Sequence, residues 1–432
     1  MAALPEIQKA IRWHPPSYDI RVEDIPIPSL EQPDDAIIKI KLAGLCGSDL
    51  HIYRGHEDVH EELVCGHEFI GTVVALGSNF SPSHAKGRPQ LYSTLKIGDE
   101  VISPFTVSCG ECHFCRVGFT CRCIHSKLFG IHDLPGGQAQ YVRVPKAGGT
   151  LFRIPGGRTG VHDASYLLLG DILPTGLFAV MQLLQNQKIA PMLQGKSWPL
   201  NAWPFHPSNT KEAYGAELLS SLPLLEKDRS LTIAVVGLGP VGICAFVSLL
   251  DAISETSRPC PVRLVAVDPL HSRREKVQKI HDAMDVKYRL GQNDLVIASI
   301  EDAPGVVEKW TDGVGCNGIL EVVGNNSALS LAYDLVRPFG IISSVGVHQG
   351  PPLPFTGRQV YDKNVSFDFG RCPVRALFPL ASEVLSRHLG IFGSVGQGQS
   401  LVERIVGFDE AARWYEEFDK GRCGKVVFDP WK

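Results

Sequence analysis

Four cysteines that lie close together in the sequence have the spacing of a metal-binding site. Cys109, Cys112, Cys115 and Cys123 are separated by two, two and seven residues in the run CGECHFCRVGFTCRC. Zinc binds four thiolates in a tetrahedron, and a filled tetrahedron leaves no position for a substrate. The cluster therefore predicts a closed, structural zinc site, in which Cys121 of the same run competes for the fourth position.

A second group of metal-binding side chains lies upstream of this cluster. Cys46 begins the segment CGSDLH, and His67 and Glu68 lie in the glycine-bounded turn CGHEF. A catalytic zinc takes about three protein ligands and keeps one open position, and thiolate, imidazole and carboxylate groups are suitable donors. We expect Cys46 and His67 to bind the metal directly. Glu68 is expected to face the metal from behind, as an occasional or indirect ligand.

Ser48 and His51 are candidates for carrying a proton from this site to water. Zinc coordination lowers the pKa of a bound hydroxyl group. Ser48 can accept and pass on that proton, and His51 titrates in the range needed to hand it to solvent. In isolation His51 would be an ordinary surface histidine, but its place in CGSDLH favours the relay. Asp49 is expected to orient the loop through backbone hydrogen bonds.

The segment GLGPVG, residues 237–242, is a dinucleotide-binding motif in the appropriate context. It follows an apolar strand and opens a helix, as the G-x-G-x-x-G motif requires. Gly237 permits the tight turn, Gly239 lets the backbone approach a pyrophosphate, and Gly242 allows the helix to pack closely. Pro240 and Val241 belong to the same turn, and the helix N-terminus favours the diphosphate charge.

Asp268 ends the next apolar strand and is the candidate for selecting the cofactor. A carboxylate there would accept the adenosine ribose hydroxyls and repel a 2′-phosphate, which favours NAD over NADP. Arg273 and Arg274 follow closely and could meet a phosphate. NAD is therefore the expected cofactor, with NADP as the alternative.

Two domains are needed to position these residues, because 432 residues exceed one ordinary core. Short β-branched and alternating runs divided by Gly, Pro and Asp predict a mostly β domain up to about residue 155. The later alternation of buried strands and helices predicts a parallel, doubly wound sheet. The strands of this second domain are predicted at 231–237, 262–268, 318–324 and 341–347, with a helix at 240–254.

Composition excludes several other classes of protein. The net charge is −4 with no long basic run, which gives no support for nucleic acid or an anionic membrane as a partner. No signal peptide or membrane-spanning stretch is expected, so a reducing, cytoplasmic setting is the default. Two segments carry no assigned chemistry: residues 78–96, predicted as a surface loop, and a proline-rich insertion near 188–229.

These motifs resemble the zinc-containing medium-chain alcohol dehydrogenases, which have a GroES-like, mostly β catalytic domain and a doubly wound Rossmann domain. The segments GDILPTG and DFGRCPVR are similar to the formaldehyde dehydrogenase-like branch, in which Asp replaces the third Cys ligand. The resemblance implies an α/β fold with a catalytic domain at 1–174 and 372–432. Residues 175–371 would form the dinucleotide-binding domain.

The same resemblance implies roles for individual residues. Asp171 would complete the catalytic zinc site, and Cys123 rather than Cys121 would complete the structural one. Thr175 would approach the nicotinamide ring, and a strand end at Val345 and Val347 would contact its carboxamide. Arg371 would reach the cofactor phosphates or the substrate. Two zinc ions per chain and a homodimer or homotetramer are also implied.

We therefore expect a zinc-dependent oxidoreductase that transfers a hydride between an alcohol, or its aldehyde or ketone, and NAD(P). A polyol or sugar dehydrogenase is the alternative within the same family. A non-catalytic NAD-binding scaffold is the alternative from another class, although the presence of Cys46, Ser48, His51 and His67 together argues against it.

Overall fold

The computed structural model divides the chain into two units, Met1–Thr175 with Arg371–Lys432, and Gly176–Gly370. It describes residues 4–131, 134–154, 161–196, 229–254, 260–350 and 352–432. Thr175 and Arg371, which the sequence-based boundaries assigned to the dinucleotide-binding domain, belong to the first unit. Most of the insertion predicted near 188–229 lies outside the described residues.

Strands provide the frame of both units. In chain order they are Ile7–His14 (β1), Asp19–Pro26 (β2), Ala36–Gly44 (β3), Leu63–Val64 (β4), Phe69–Leu76 (β5), Glu100–Ser103 (β6), Tyr141–Val144 (β7), Phe152–Arg153 (β8), Leu231–Val236 (β9), Val262–Val267 (β10), Leu295–Ala298 (β11), Cys316–Glu321 (β12), Val336–Ser344 (β13), Ser366–Phe369 (β14), Val402–Gly407 (β15) and Lys425–Asp429 (β16).

Helices and short helical turns connect these strands. Those of the first unit are Asp49–Tyr53, Pro82–His84, Leu91–Thr94, His113–Arg116, Thr120–Arg122, Ala147–Thr150, Asp163–Leu167, Leu168–Gly170, Val374–Arg387, Leu389–Phe392, Phe408–Glu410 and Ala411–Asp419. The helix Ile172–Leu184 crosses the junction of the units. Those of the second unit are Ala190–Leu193, Pro240–Ser254, His271–Ala283, Val286–Tyr288, Ala303–Thr311, Asn326–Leu335 and Gly357–Lys363.

In the first unit the apolar strand β3 is the centre of a mostly antiparallel sheet. The sheet has the order β15-β16-β3-β5-β6-β8, and β7 also pairs with β3. The chain's last strand, β16, therefore lies beside β3, next to the loop that carries Cys46. A separate sheet, β2-β1-β4, packs through Trp13 into a second core with Tyr415 and Phe428.

The second unit has the doubly wound parallel sheet that the sequence predicts. Its order is β11-β10-β9-β12-β13-β14, with every neighbouring pair parallel. Numbered within the unit, this is the order 3-2-1-4-5-6 of dinucleotide-binding folds, which bind ligands beyond the carboxyl ends of the strands. The last residues of the strands pair side by side in one row, so the loops that follow them share one edge of the sheet.

Among the described residues, no single helix is long and apolar enough to cross a membrane. One bent pair of consecutive helices, Asp163–Gly170 with Ile172–Leu184, is long and apolar enough when its two helices are taken together. Most of the residues in this pair are buried within the protein.

The segment 78–96, predicted as a plain surface loop, is attached to the first unit by a buried charge network. Asp34, which is 6% exposed, accepts hydrogen bonds from Asn79 (2.8 Å), Arg88 (2.8 and 3.1 Å) and Lys146 (3.2 Å). Burial would raise the pKa of Asp34, but these donors outweigh burial and lower the pKa to about 2. The guanidinium of Arg88 also lies over the ring of the buried Tyr92.

Replacing Asp34 by Asn should destabilise this unit. A shift of this size corresponds to about 2 kcal/mol, or roughly 5 °C in the midpoint of thermal unfolding at neutral pH. Because the pKa is lowered in the folded state, the stabilisation is present above the unfolded pKa of about 4 and disappears as pH falls towards 2. Thermal scans of the wild type, Asp34→Asn and the exposed control Asp24→Asn across pH would measure it. A constant difference between wild type and Asp34→Asn down to pH 2 would contradict the assignment.

Candidate active site

Three buried side chains from distant parts of the first unit converge on one point. Cys46 follows β3, His67 lies between β4 and β5, and Asp171 precedes the helix Ile172–Leu184. Their ligand atoms all lie within 4.8 Å of one another. Cys46 Sγ is 3.7 Å and His67 Nε2 is 3.3 Å from Asp171 Oδ2. The geometry thus brings Asp171 together with Cys46 and His67 in a group that could hold a metal ion.

These distances fit a tetrahedral zinc ion. Ordinary zinc–ligand bond lengths give edges of about 3.6 Å between sulfur and oxygen and about 3.4 Å between nitrogen and oxygen. His67 Nε2 is buried, yet within the described parts of the chain it has no hydrogen-bond partner, although Asp171 Oδ2 is near. An unpartnered lone pair that faces a thiol and a carboxylate is expected where three ligands share one cation.

Two neighbouring side chains orient the ligands. Asp49 Oδ1 lies 3.3 Å from His67 Nδ1, and its other oxygen accepts a hydrogen bond from the backbone N–H of Cys46 (2.9 Å). A carboxylate facing Nδ1 favours the proton on that nitrogen and leaves the Nε2 lone pair free for a metal. Thr175 Oγ1 donates to Asp171 Oδ1 at 3.0 Å. Asp49, expected from the sequence to act only on the loop, also lies behind His67, and no local signal in the sequence indicates that position.

Burial and neighbouring charges shift the pKa values of Cys46 and Asp171 in opposite directions. Burial raises the pKa of the Cys46 thiol, and the negative charges of Glu68 and Asp171 raise it further. Burial would also raise the pKa of Asp171, but the neighbouring His67 outweighs burial and lowers it. A cation held between them would stabilise the thiolate and the carboxylate together.

Glu68 lies outside this group and is paired with a lysine from the last strand. Its side chain is fully buried and forms an ion pair with Lys425, whose ammonium also donates to the carbonyl of Leu45 at 3.0 Å. Burial raises the pKa of Glu68, and the charge of Lys425 opposes that shift. Gly44 is needed here, since a Cβ at that position would collide with the carboxylate. The sequence signal for Lys425 was a charged residue in the apolar strand KVVF.

Ser48 and His51 lie beside the ligand loop at the start of the helix Asp49–Tyr53. Both residues are half-buried, and the N–H of His51 donates to the carbonyl of Ser48 (3.2 Å). Burial lowers the pKa of His51, and its Nδ1 has no hydrogen-bond partner among the residues described. Burial therefore favours the neutral form of His51.

The four clustered cysteines form a second tetrahedral group. Sγ of Cys109 lies 4.0 Å from that of Cys115, and Sγ of Cys112 lies 3.9 Å from that of Cys123. Zinc–thiolate bonds predict an edge of about 3.8 Å. Backbone N–H groups also donate to the sulfurs of Cys109 and Cys123, as expected for thiolates. Cys121 instead donates its thiol hydrogen to the carbonyl of Arg371 at 3.2 Å, outside this group.

In the second unit the glycine motif forms the turn between β9 and the helix Pro240–Ser254. Gly237 has a φ of +98°, and a Cβ on Gly242 would collide with the carbonyl of Gly237. A Cβ on Gly239 would approach only the guanidinium of Arg273, at 3.7 Å. Pro240 and Val241 form the first turn of the helix. The turn is therefore closely packed inside and open on the side of Gly239.

Asp268 supports this turn directly. Its carboxylate is 1% exposed and accepts hydrogen bonds from the N–H groups of Leu238 (2.8 Å) and Leu270 (2.9 Å). Arg273 Nη1 lies 3.6 Å from the same carboxylate, and Arg274 donates to the carbonyl of Asp268 at 2.7 Å. Asp268 thus holds the glycine turn in place.

The remaining predicted cofactor residues lie in both units. Thr175 is buried beside Asp171, and Arg371 is exposed in the first unit. Val345 follows β13 in the second unit, where its N–H donates to the carbonyl of Glu321 at 3.2 Å. Val347, two residues later, is 44% exposed.

Comparison with known proteins places this fold and site in one family. Residues 32–156 match the profile of the alcohol dehydrogenase GroES-like domain. The chain is 34% identical over 423 residues to zinc-type alcohol dehydrogenase B of Aspergillus flavus, covering 97% of this chain and 81% of that protein. It is 26% identical to formaldehyde dismutase of Pseudomonas putida, covering 98% and 97%. The structure of an alcohol dehydrogenase from Thermus sp. ATN1 is similar with a TM-score of 0.70 and 26% identity, covering 98% and 99%.

The chain therefore belongs to the zinc-containing medium-chain alcohol dehydrogenase family. It is a zinc-dependent enzyme that transfers a hydride between a small-molecule alcohol, or its aldehyde or ketone, and a nicotinamide cofactor. The resemblance and the two-part α/β fold expected from the sequence are confirmed. These relatives do not favour the polyol dehydrogenase or the non-catalytic scaffold.

The geometry of the cysteine cluster predicts different effects of replacing Cys121 and Cys123. Cys123→Ser should lower the zinc content of the purified protein by one equivalent, because it removes one of four converging thiolates. Cys121→Ser, its matched control, should retain the full content. Zinc would be measured by elemental analysis after exhaustive dialysis. Loss of zinc from Cys121→Ser alone would show that the wrong thiol has been assigned.

Proposed function

We propose that Cys46, His67 and Asp171 hold the catalytic zinc ion of this alcohol dehydrogenase. The observation that carries this assignment is the buried, unpartnered Nε2 of His67, which faces a thiol and a carboxylate at zinc-site distances. We further propose a structural zinc ion at Cys109, Cys112, Cys115 and Cys123, supported by their tetrahedral spacing. The chain would then bind two zinc ions.

The catalytic zinc would supply Lewis-acid polarisation of the alcohol oxygen. The chain's own residues would orient the site and move the proton. Asp49 would hold His67 with its Nε2 lone pair towards the metal, and Thr175 would hold Asp171. Ser48 would pass the hydroxyl proton to His51, whose lowered pKa keeps it neutral and ready to accept the proton.

NAD is the proposed cofactor, and the second unit would bind it along the edge where its strands end. The glycine turn of residues 237–242 would receive the diphosphate. Asp268 would disfavour a 2′-phosphate, although Arg273 lies close enough to offset part of its charge. Val345 and Val347 would contact the carboxamide, Thr175 would approach the nicotinamide ring, and Arg371 would reach the phosphates or the substrate. Glu68 would act on the metal only from behind, through its pairing with Lys425.

A homodimer or homotetramer and a cytoplasmic location complete the proposal. Both come from the family resemblance and the composition of the chain. Size-exclusion chromatography with light scattering would measure the first, and cell fractionation the second.

The activity is tested by reduction of NAD⁺ and NADP⁺ with a panel of short, branched, aromatic and polyol alcohols, with and without a zinc chelator. We expect chelator-sensitive turnover with a preference for NAD⁺. Cys46→Ala should lower turnover on the order of 1,000-fold, because it removes a ligand of the polarising cation. The variant should remain folded and retain the structural zinc. Normal turnover by Cys46→Ala would refute the assigned site.

The proton path predicts a specific pH dependence. Because burial lowers the pKa of His51, wild-type turnover should fall only when pH drops below the ordinary histidine value of about 6.5. His51→Gln should lower turnover about 100-fold at neutral pH and remove this acidic limb. The exposed His60→Gln serves as the control and should keep the wild-type profile. An unchanged acidic limb in His51→Gln would assign the limb to another group.

A further inference from the structure

A buried carboxylate in the second unit binds two loops at the edge where the strands end. Glu321 is the last residue of β12 and is fully buried. It pairs laterally with Val236, the last residue of β9, and with Ser344, the last residue of β13. The glycine turn begins directly after Val236, so Glu321 lies beside the proposed cofactor edge rather than in the depth of the sheet.

One oxygen of Glu321 holds the loop that follows its own strand. Oε1 accepts hydrogen bonds from the N–H groups of Val323 (2.9 Å) and Gly324 (2.8 Å). This loop supports the glycine turn, because a Cβ on Gly237 would collide with the side chain of Val323. The conformation of the turn therefore depends in part on the position of Val323.

The other oxygen holds both ends of the next loop. Oε2 accepts a hydrogen bond from Ser344 Oγ (2.6 Å) and lies 3.1 Å from His348 Nε2, which is also 2.9 Å from Ser344 Oγ. Residues 345–347 lie between these two anchors. The rings of His348 and Phe369, at the end of β14, pack in a T-shaped pair with centroids 5.4 Å apart.

The two loops also contact each other through their backbones. A Cβ on Gly324 would collide with the N–H of Val347, and a Cβ on Gly346 would collide with the N–H of Gly324. Burial would raise the pKa of Glu321, but the hydrogen bonds from His348, Ser344 and Gly324 outweigh burial and lower it. The ionised carboxylate therefore joins the two loops into one unit.

We propose that Glu321 and His348 are positioning residues for the cofactor: one carboxylate fixes the backbone of residues 345–347 against the loop at Val323 and Gly324, which in turn packs against the glycine turn. The inference rests on the proposed contact of Val345 and Val347 with the nicotinamide end. Glu321 Oε2 joins the two ends of the loop between Ser344 and His348. Loss of either anchor would let the segment sample other conformations, and cofactor binding would have to reorder it.

Two variants that preserve volume test this role. Glu321→Gln keeps an acceptor for Val323 and Gly324 but turns an amide donor towards the donors of Ser344 and His348. His348→Phe keeps a ring against Phe369 and removes Nε2. We expect the Kd for NADH and the KM for NAD⁺ to rise about tenfold in Glu321→Gln, equivalent to about 1.4 kcal/mol, and roughly threefold in His348→Phe. The exposed Glu301→Gln is the control and should bind NADH like the wild type.

NADH fluorescence titration without substrate, well below the thermal midpoint, gives the Kd independently of the zinc chemistry. The double variant should bind NADH no more weakly than Glu321→Gln, because both changes break the same anchor. Glu321→Gln with wild-type affinity, even with a lowered thermal midpoint, would overturn the inference and leave a purely architectural carboxylate. Wild-type protein that binds neither NADH nor NADPH would overturn dinucleotide binding itself, a distinct result.

Discussion

Buried carboxylates hold the loops of both units. An isolated buried carboxylate is costly in free energy, so each of them must be paired or hydrogen-bonded. Glu68 meets this requirement through Lys425, and Asp49 through the backbone of Cys46 and the ring of His67. Asp268 and Glu321 meet it through backbone N–H groups in the second unit. Each of these carboxylates lies beside a loop of the site, so the need for partners also orders the loops.

In the first unit the need for a partner connects Glu68 with the last strand of the chain. The last strand, β16, pairs with β3 and carries Lys425 to Glu68, the neighbour of His67. Cys46, His67 and Asp171 lie on loops, whereas Asp49 and Lys425 lie on regular elements behind them. A loop ligand held from behind by a rigid element can keep the narrow geometry that zinc requires.

In the second unit the parallel register brings distant residues together at the edge where the strands end. Because the strand ends form one row, Val236, Glu321 and Ser344 are neighbours although they are far apart in sequence. One short loop, residues 322–324, packs against the glycine turn, and the loop of residues 345–347 packs against that first loop. Both contacts leave almost no space for side chains, which explains Gly237, Gly324 and Gly346 together. The carboxylates of Asp268 and Glu321 fix this edge from opposite sides of β9.

The sequence by itself determined the parts whose information is local. The cysteine spacing, the CGSDLH and GHE segments, the glycine motif and the apolar strands each depend on a few adjacent residues, and the helix at 240–254 lies where it was predicted. Only the tertiary structure separated Cys123 from Cys121, turned Glu68 towards Lys425, and placed Asp49 behind His67 and His348 against Glu321. These partners depend on strand order and register, which join side chains tens to hundreds of residues apart and leave no periodic or spacing signal in the chain.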